Sequence, residues 1–183
     1  AGWAFSMFLD ENGSVWICGY NGSGQLGLGD NNNRNQPEQI QNLPKIIFVC
    51  AMYSSSIFLD CEGSVWTCGN NAHGELGLED TENRSKAEKI SGIPKIISIS
   101  GGSLNALFLD CEGAVWTCGY NGSGNLGLGD TTNRDKAEKI PGLPPIKSMG
   151  GGAHFSMFVD EEGCVWVCGL NVSGELGLGH TTR

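Results

Sequence analysis

One unit recurs four times along this chain at a spacing of 50 residues, and no other feature constrains the fold as strongly. FLDENGSVWICGYNGSGQLGLGD begins at Phe8, and FLDCEGSVWTCGNNAHGELGLED at Phe58. FLDCEGAVWTCGYNGSGNLGLGD begins at Phe108, and FVDEEGCVWVCGLNVSGELGLGH at Phe158. No insertion or deletion interrupts the copies. Periods of about 20–50 residues belong to solenoids, propellers or other arrays.

Within a unit the pattern is strand-like. SMFLD is a short apolar run, ENG or CEG is turn chemistry, and SVWIC or AVWTC is rich in β-branched and aromatic residues. AEKI reads as a third short strand. KIISIS or PIKSMG, after Gly-Ile-Pro or Gly-Leu-Pro, reads as a further apolar strand. No segment holds apolar residues at 3.6 spacing over about 10 residues, which argues against a large helix. A β-solenoid is the alternative, but its coils are usually shorter, and two hairpin-like halves per unit fit blades better. The expected architecture is all-β, a β-propeller of four-stranded blades with about three and a half blades in 183 residues. The units are 1–50, 51–100, 101–150 and an incomplete 151–183. Counted by unit, the strands come to three full blades and one hairpin, with Arg183 inside the loop that follows.

The stretch GSGQLG at residues 22–27 fits the G-x-G-x-x-G spacing of a dinucleotide fingerprint. The repeats test that reading. The same place holds AHGELG from Ala72, GSGNLG from Gly122 and VSGELG from Val172, so the first glycine is lost twice. A phosphate cradle also needs a helix next, and DNNNR, DTENR or DTTNR follow instead. The recurring small positions are Gly24, Gly27, Gly29; Gly74, Gly77; Gly124, Gly127, Gly129; and Gly174, Gly177, Gly179, with Glu79 standing where the third glycine falls in unit two. These glycines are expected to permit positive φ or close backbone approach between blades, with Leu26 and Leu28 pointing inward. No cofactor is expected.

The net charge of −9, from 20 acidic and 11 basic residues without a Lys/Arg cluster, argues against direct nucleic-acid binding. No apolar run of about 18 residues marks a membrane span. No signal peptide is visible, although the chain opens on Ala1 rather than Met, so its absence decides nothing. Eight cysteines first suggest a disulfide framework. Yet Cys18, Cys68, Cys118 and Cys168 recur at the unit spacing, each before a glycine, which fits small apolar fillers of equivalent places. Reduced thiols and an intracellular, cytoplasmic or nuclear, location are the expectation. Asn-X-Ser sequons such as Asn21-Gly22-Ser23 arise cheaply in an Asn-rich chain.

GSVWICG, then GYNGSGQLGLGD, then a short strand and GLPPIKSMGGGAHFSMFVD together resemble the repeats of the regulator of chromosome condensation family. The junction from Gly151 to Ser156 is similar to the family's G-x-x-H-S-like entry into the first hairpin strand, although Ala4, Ser54 and Asn105 or its neighbours stand where His154 does. The resemblance covers the whole chain. It implies a seven-bladed propeller. It also implies one of several roles: exchange factor for a small GTPase, interaction domain of ubiquitin ligases, kinases or membrane-traffic regulators, or, in a plant branch, ultraviolet sensing by clustered tryptophans. Trp3 is the only tryptophan outside the repeat and arginine is scarce, which argues against the last. A chain of three and two-thirds units leaves open edges. The expectation is a fragment of a longer array, completed by further repeats, or self-association or docking on another protein.

Trp16, Trp66, Trp116 and Trp166 are expected to pack between blades or around the axis. Asp10, Asp60, Asp110 and Asp160 are expected to cap turns through their own backbone. Asp30, Asp80 and Asp130 are expected to fasten a loop and are the candidate contributors to an acidic protein-binding rim, with Arg34, Arg84 and Arg134 as salt-bridge or partner-contact residues. His73, His154 and His180 occupy different places in their units, and neither C-x-x-C nor H-E-x-x-H occurs, so no metal site is expected. There is no G-x-S-x-G elbow and no calcium loop. The chain therefore reads as a non-enzymatic protein–protein interaction scaffold. Variation at Tyr20/Asn70/Tyr120/Leu170 and at Gln25/Glu75/Asn125/Glu175 offers a way to individualise a binding face. The alternative is a guanine-nucleotide exchange factor acting on a small GTPase by binding alone, although no inserted wedge interrupts the period.

Overall fold

The computed structural model describes residues 1–181, so the loop expected around Arg183 lies outside the described residues. The strands are β1 Phe5–Leu9, β2 Val15–Gly19, β3 Arg34–Gln39, β4 Ile46–Ala51, β5 Ser55–Asp60, β6 Val65–Gly69 and β7 Arg84–Lys89. They continue as β8 Ile96–Gly101, β9 Asn105–Asp110, β10 Val115–Gly119, β11 Arg134–Lys139, β12 Ile146–Gly151, β13 Phe155–Asp160 and β14 Val165–Gly169. All strand pairs are antiparallel. They form four sheets, β1-β2-β3, β4-β5-β6-β7, β8-β9-β10-β11 and β12-β13-β14. This is the β-propeller architecture, with about three and a half blades.

The strands divide as three, four, four and three, not as three full blades and a hairpin. The reason lies in the pairing of the KIIS-type strand. β4 pairs with β5 and β8 with β9, so the last strand of each sequence unit is the first strand of the next sheet. A one-strand offset of this kind makes each unit close one blade and open another.

The hairpin turn explains the recurring D-x-x-G. Asp60 Oδ1 accepts the Glu62 and Ser64 N–H groups at 3.0 and 2.8 Å, and Gly63 turns the chain at φ 87°. Asp60 Oδ2 accepts the Trp66 Nε1–H at 3.0 Å, and the same bond joins Trp16 to Asp10, Trp116 to Asp110 and Trp166 to Asp160. Each tryptophan is thereby tied to its own turn.

The core lies in the seams between sheets. Val15 and Ile17 on β2 meet Phe58 and Cys68 on the next sheet, with Leu26, Ile40 and Ile46 closing the cluster and Trp66 packed against it. Ile57, Leu59 and Val65 repeat the arrangement against Phe108 and Cys118, with Trp116 alongside. Leu107, Leu109 and Val115 repeat it against Phe158, with Cys168 alongside. Period-2 alternation explains this: successive residues of β6 face opposite seams. A fully buried Phe or Leu contributes about 1.5–3 kcal/mol. Trp16 has no preceding sheet among the described residues and is 37% exposed. Burial pushes the Cys68 thiol up to about 12 and the Cys118 thiol up as well, as fits apolar fillers rather than reactive groups.

A candidate protein-docking face

The motif loops, which follow β2, β6, β10 and β14, and the connections before β1, β5, β9 and β13 leave the sheets at the same end. The first three motif loops reach across a seam. Gly29 N–H donates to Ser85 O and Glu79 N–H to Asp135 O, at 2.8 and 2.9 Å, on the outer strand of the following sheet. Leu28 and Leu78 form isolated bridges with Lys86 and Lys136 of that strand. A Cβ on Gly24 would come within 2.6 Å of Ser85 Cα and 2.7 Å of Arg84 O. Gly74 abuts Asp135 and Arg134 in the same way. Gly27, Gly77 and Gly127 lie against Cys68, Cys118 and Cys168, and Gly29 against Lys86. Gly124 meets only its own loop, at Asp130 O, and nothing stands within 4 Å of Gly129, Gly174, Gly177 or Gly179. The stretch is a blade-to-blade strap, and strand rather than helix follows it.

Each loop is fastened by a buried asparagine that sequence reasoning passed over, although Asn21, Asn71, Asn121 and Asn171 recur in all four units and are 0% exposed. Asn21 Oδ1 accepts the Leu26 N–H and its Nδ2 donates to Asp30 O and Asn32 O. Identity at a polar position in every copy was the available signal. Arg34 then bridges two carboxylates, Asp30 at 2.8 Å and Glu38 at 2.8 Å. Arg84 does so with Asp80 and Glu88, and Arg134 with Asp130 and Glu138. The Arg34 guanidinium, with the Asn32 N–H, holds the Asp30 carboxyl at about 2. Asp80 is lowered by Arg84 and the Glu82 N–H, and Asp130 by Arg134 and the Thr132 N–H. The three arginines are thus occupied, and each triad keeps one negative charge over.

Of the two variable sets, the first is the more exposed, with Asn70, Tyr120 and Leu170 half-buried. Tyr20 is 43% exposed. Gln25, Glu75 and Asn125 are buried at 1% exposure or less, contrary to the surface role the sequence suggested for them. The reason is that this residue sits at the end of a seam. Ser56 Oγ donates to Gln25 O at 2.7 Å and Ser156 Oγ to Asn125 O at 2.8 Å. The Glu75 carboxylate is turned onto its own loop, accepting from the His73 N–H and from Asn70 Nδ2, and burial raises its pKa. Glu175, in the last sheet, is half-buried.

Two aromatic groups stand on this face. Trp3 stacks on Tyr53 at 5.2 Å with planes 21° apart and meets Tyr20 edge-on at 6.4 Å. Further round, Tyr120 lies between His73 at 5.3 Å and His154 at 5.6 Å. Between the inner strands a depression of about 330 Å³ opens, lined by Gly2, Trp3, Tyr53, Ser103, Gly152 and Ala153 among others. No group of three His, Cys, Asp or Glu able to hold a metal occurs among the described residues, and none of their helices is long and apolar enough to cross a membrane.

The fold recurs in solved structures. Human WBSCR16 superposes with a TM-score of 0.91 at 24% identity, covering 100% of this chain and 50% of that one. Yeast RCC1 (Prp20) bound to Kap60 gives 0.87 at 22% identity, covering 97% of this chain and 44% of the other. Prp20p from Saccharomyces cerevisiae, described with its binding properties to Gsp1p and histones, gives 0.86 at 22% identity, covering 98% and 46%. This chain therefore spans about half the length of the structures it matches. No curated protein matches its sequence. The profile described as "Regulator of chromosome condensation (RCC1) repeat" matches residues 12–59, 62–109 and 112–159. With three such matches across most of its length, on a propeller of the same shape, the chain belongs to the regulator of chromosome condensation (RCC1) repeat family.

Proposed function

We propose that this chain is a protein-docking segment of an RCC1-type propeller, binding a partner protein on the loop face that carries Trp3, Tyr20 and Tyr53. The observation that carries the reading is the exposure of these three rings, at 65, 43 and 45%, with Tyr20 on a loop held by the buried Asn21 and Trp3 and Tyr53 on short connections held by backbone bonds beside antiparallel sheets. Large aromatics on a rigid frame are the usual anchors of an interface. Asp30, Asp80 and Asp130 with Arg34, Arg84 and Arg134 form the rim of that face and hold its loops in shape. The work is binding, with no acid–base or covalent step.

A specific comparison favours exchange of guanine nucleotide on a small GTPase as the form this binding takes: the likeness to Prp20p, whose structure was described together with binding to Gsp1p. Exchange needs only tighter binding to the nucleotide-free GTPase than to the loaded one. An intracellular location, nuclear or cytoplasmic, goes with this reading, supported by the likeness to the Kap60-bound yeast protein.

The test is nucleotide release from a panel of small GTPases loaded with a fluorescent guanine nucleotide. Acceleration by the protein supports exchange. Tight binding without acceleration supports a scaffold. Neither acceleration nor binding, to these GTPases or to any protein retained by the immobilised chain and lost on Trp3→Ala with Tyr53→Ala, would overturn the docking reading.

A further inference from the structure

We infer that the Trp3–Tyr53–Tyr20 patch receives a basic segment of the partner, with an arginine or lysine side chain laid on the rings. The inference rests on the docking reading and names the chemistry of what docks.

The first support is the build of the patch. Its rings come from three separate connections, before β1, after β2 and between β4 and β5. Their backbones are fixed: Trp3 N–H donates to Tyr53 O at 3.3 Å, Tyr53 N–H to Ser103 O at 3.3 Å, and Tyr20 N–H to Ala4 O at 2.8 Å. Tyr20 is further held by lying over Gly22. The rings are therefore presented in place, and little entropy is lost when a ligand lands on them. The patch is local, because the positions matching Trp3 and Tyr53 in the later units are Ser103 and Ala153.

The second support is charge. Of the seven lysines, Lys45, Lys95 and Lys147 lie towards the opposite end and Lys89 and Lys139 at the far ends of β7 and β11, while Lys86 and Lys136 lie on those outer strands beside the motif loops, Lys136 paired with Glu79 at 2.6 Å. The arginines that reach this face are each held by two carboxylates. A guanidinium would find ring faces carrying negative quadrupole charge within a field that is negative overall.

Three eight-residue peptides of alternating glycine with arginine, lysine or glutamate test the inference by calorimetric titration into the intact chain. The arginine peptide should bind, the lysine peptide bind less tightly, and the glutamate peptide not bind. Trp3→Ala or Tyr53→Ala should weaken the arginine peptide by about tenfold. Both side chains are exposed and outside the seams, and Lys45→Ala at the opposite end is the control expected to leave binding unchanged. Raising ionic strength from about 0.05 to about 0.5 M should weaken binding further. Equal binding of arginine and glutamate peptides, no binding of either, or indifference to both aromatic substitutions would overturn the inference. If a protein partner still binds through Trp3 and Tyr53 in that case, the docking reading stands and only its basic character falls.

Discussion

The hydroxyl oxygen of Tyr120 occupies the space that a Cβ on Gly122 would need, and Tyr20 covers Gly22 in the same way. Neither glycine is at positive φ, so the requirement is room alone. Where the tyrosine is absent the glycine is absent too: Asn70 goes with Ala72 and Leu170 with Val172. The first glycine of the apparent dinucleotide hexamer is thus set by a tyrosine two residues earlier.

Gly122→Ala should therefore destabilise the chain by about 1–2 kcal/mol, and adding Tyr120→Asn, the combination unit two already uses, should recover most of it. A thermal-unfolding double-mutant cycle reads the coupling, expected at about 1 kcal/mol or more.

Loss of a turn aspartate should be felt at three donors at once. Asp110 Oδ1 accepts the Glu112 and Ala114 N–H groups at 2.9 Å, and Oδ2 accepts the Trp116 Nε1–H at 2.9 Å. Asp110→Ala should cost about 2–3 kcal/mol in chemical denaturation, with a red shift of Trp116 emission as the indole loses its tie.

Acid should unfold the protein through these same groups. The Ser14 N–H and the Trp16 indole lower Asp10, and Arg34 holds Asp30 at about 2. At Asp60 and Asp110 burial opposes ionisation, but the indole and backbone donors outweigh it and the net shift is downward. A lowered native pKa gives stability that is complete above the unfolded value of 3.8 and is lost as pH falls towards 2. The melting temperature should fall most steeply in that window, and Asp30→Asn should flatten the fall.

Glu75 has the opposite sign. Burial raises its pKa above 4.5, so the native state favours its protonated form and stability declines as pH rises through the native value. Glu75→Gln should raise the melting temperature at pH 7 and show a smaller gain near pH 4. Gln25, which fills the equivalent place with its Oε1 accepting the Ser23 N–H at 2.9 Å, shows that the amide fits.

The period and the strand-like runs made the propeller legible, because spacing survives any detail of packing. The division into sheets was not legible from the period: β4 lies beside its own unit in sequence but pairs with β5 of the next, and a repeat has no marked beginning. Gln25, Glu75 and Asn125 were misjudged because polar residues that vary between copies look exposed. They are buried, and each copy bonds within its own loop, with Asn125 Oδ1 left without a partner. Trp3 and Tyr53 lie outside the regular pattern that organised the reading, so the patch they make could be seen only once the connections were brought together. Units two and three show a related exchange: Met52 goes with Ser55, whereas Gly102 leaves room for Asn105 Oδ1.

The central claim is that the motif glycines allow one blade to lie against the next. Gly74 and Gly92 both have positive φ, 83° and 73°. A Cβ on Gly74 would meet the Arg134 carbonyl oxygen at 2.5 Å, across a seam, whereas nothing lies within 4 Å of Gly92. Parallel denaturant unfolding of Gly74→Ala and Gly92→Ala measures the seam against the backbone strain alone. The account predicts a loss of about 1 kcal/mol for Gly92→Ala and about 3 kcal/mol or more for Gly74→Ala; equal losses would contradict it.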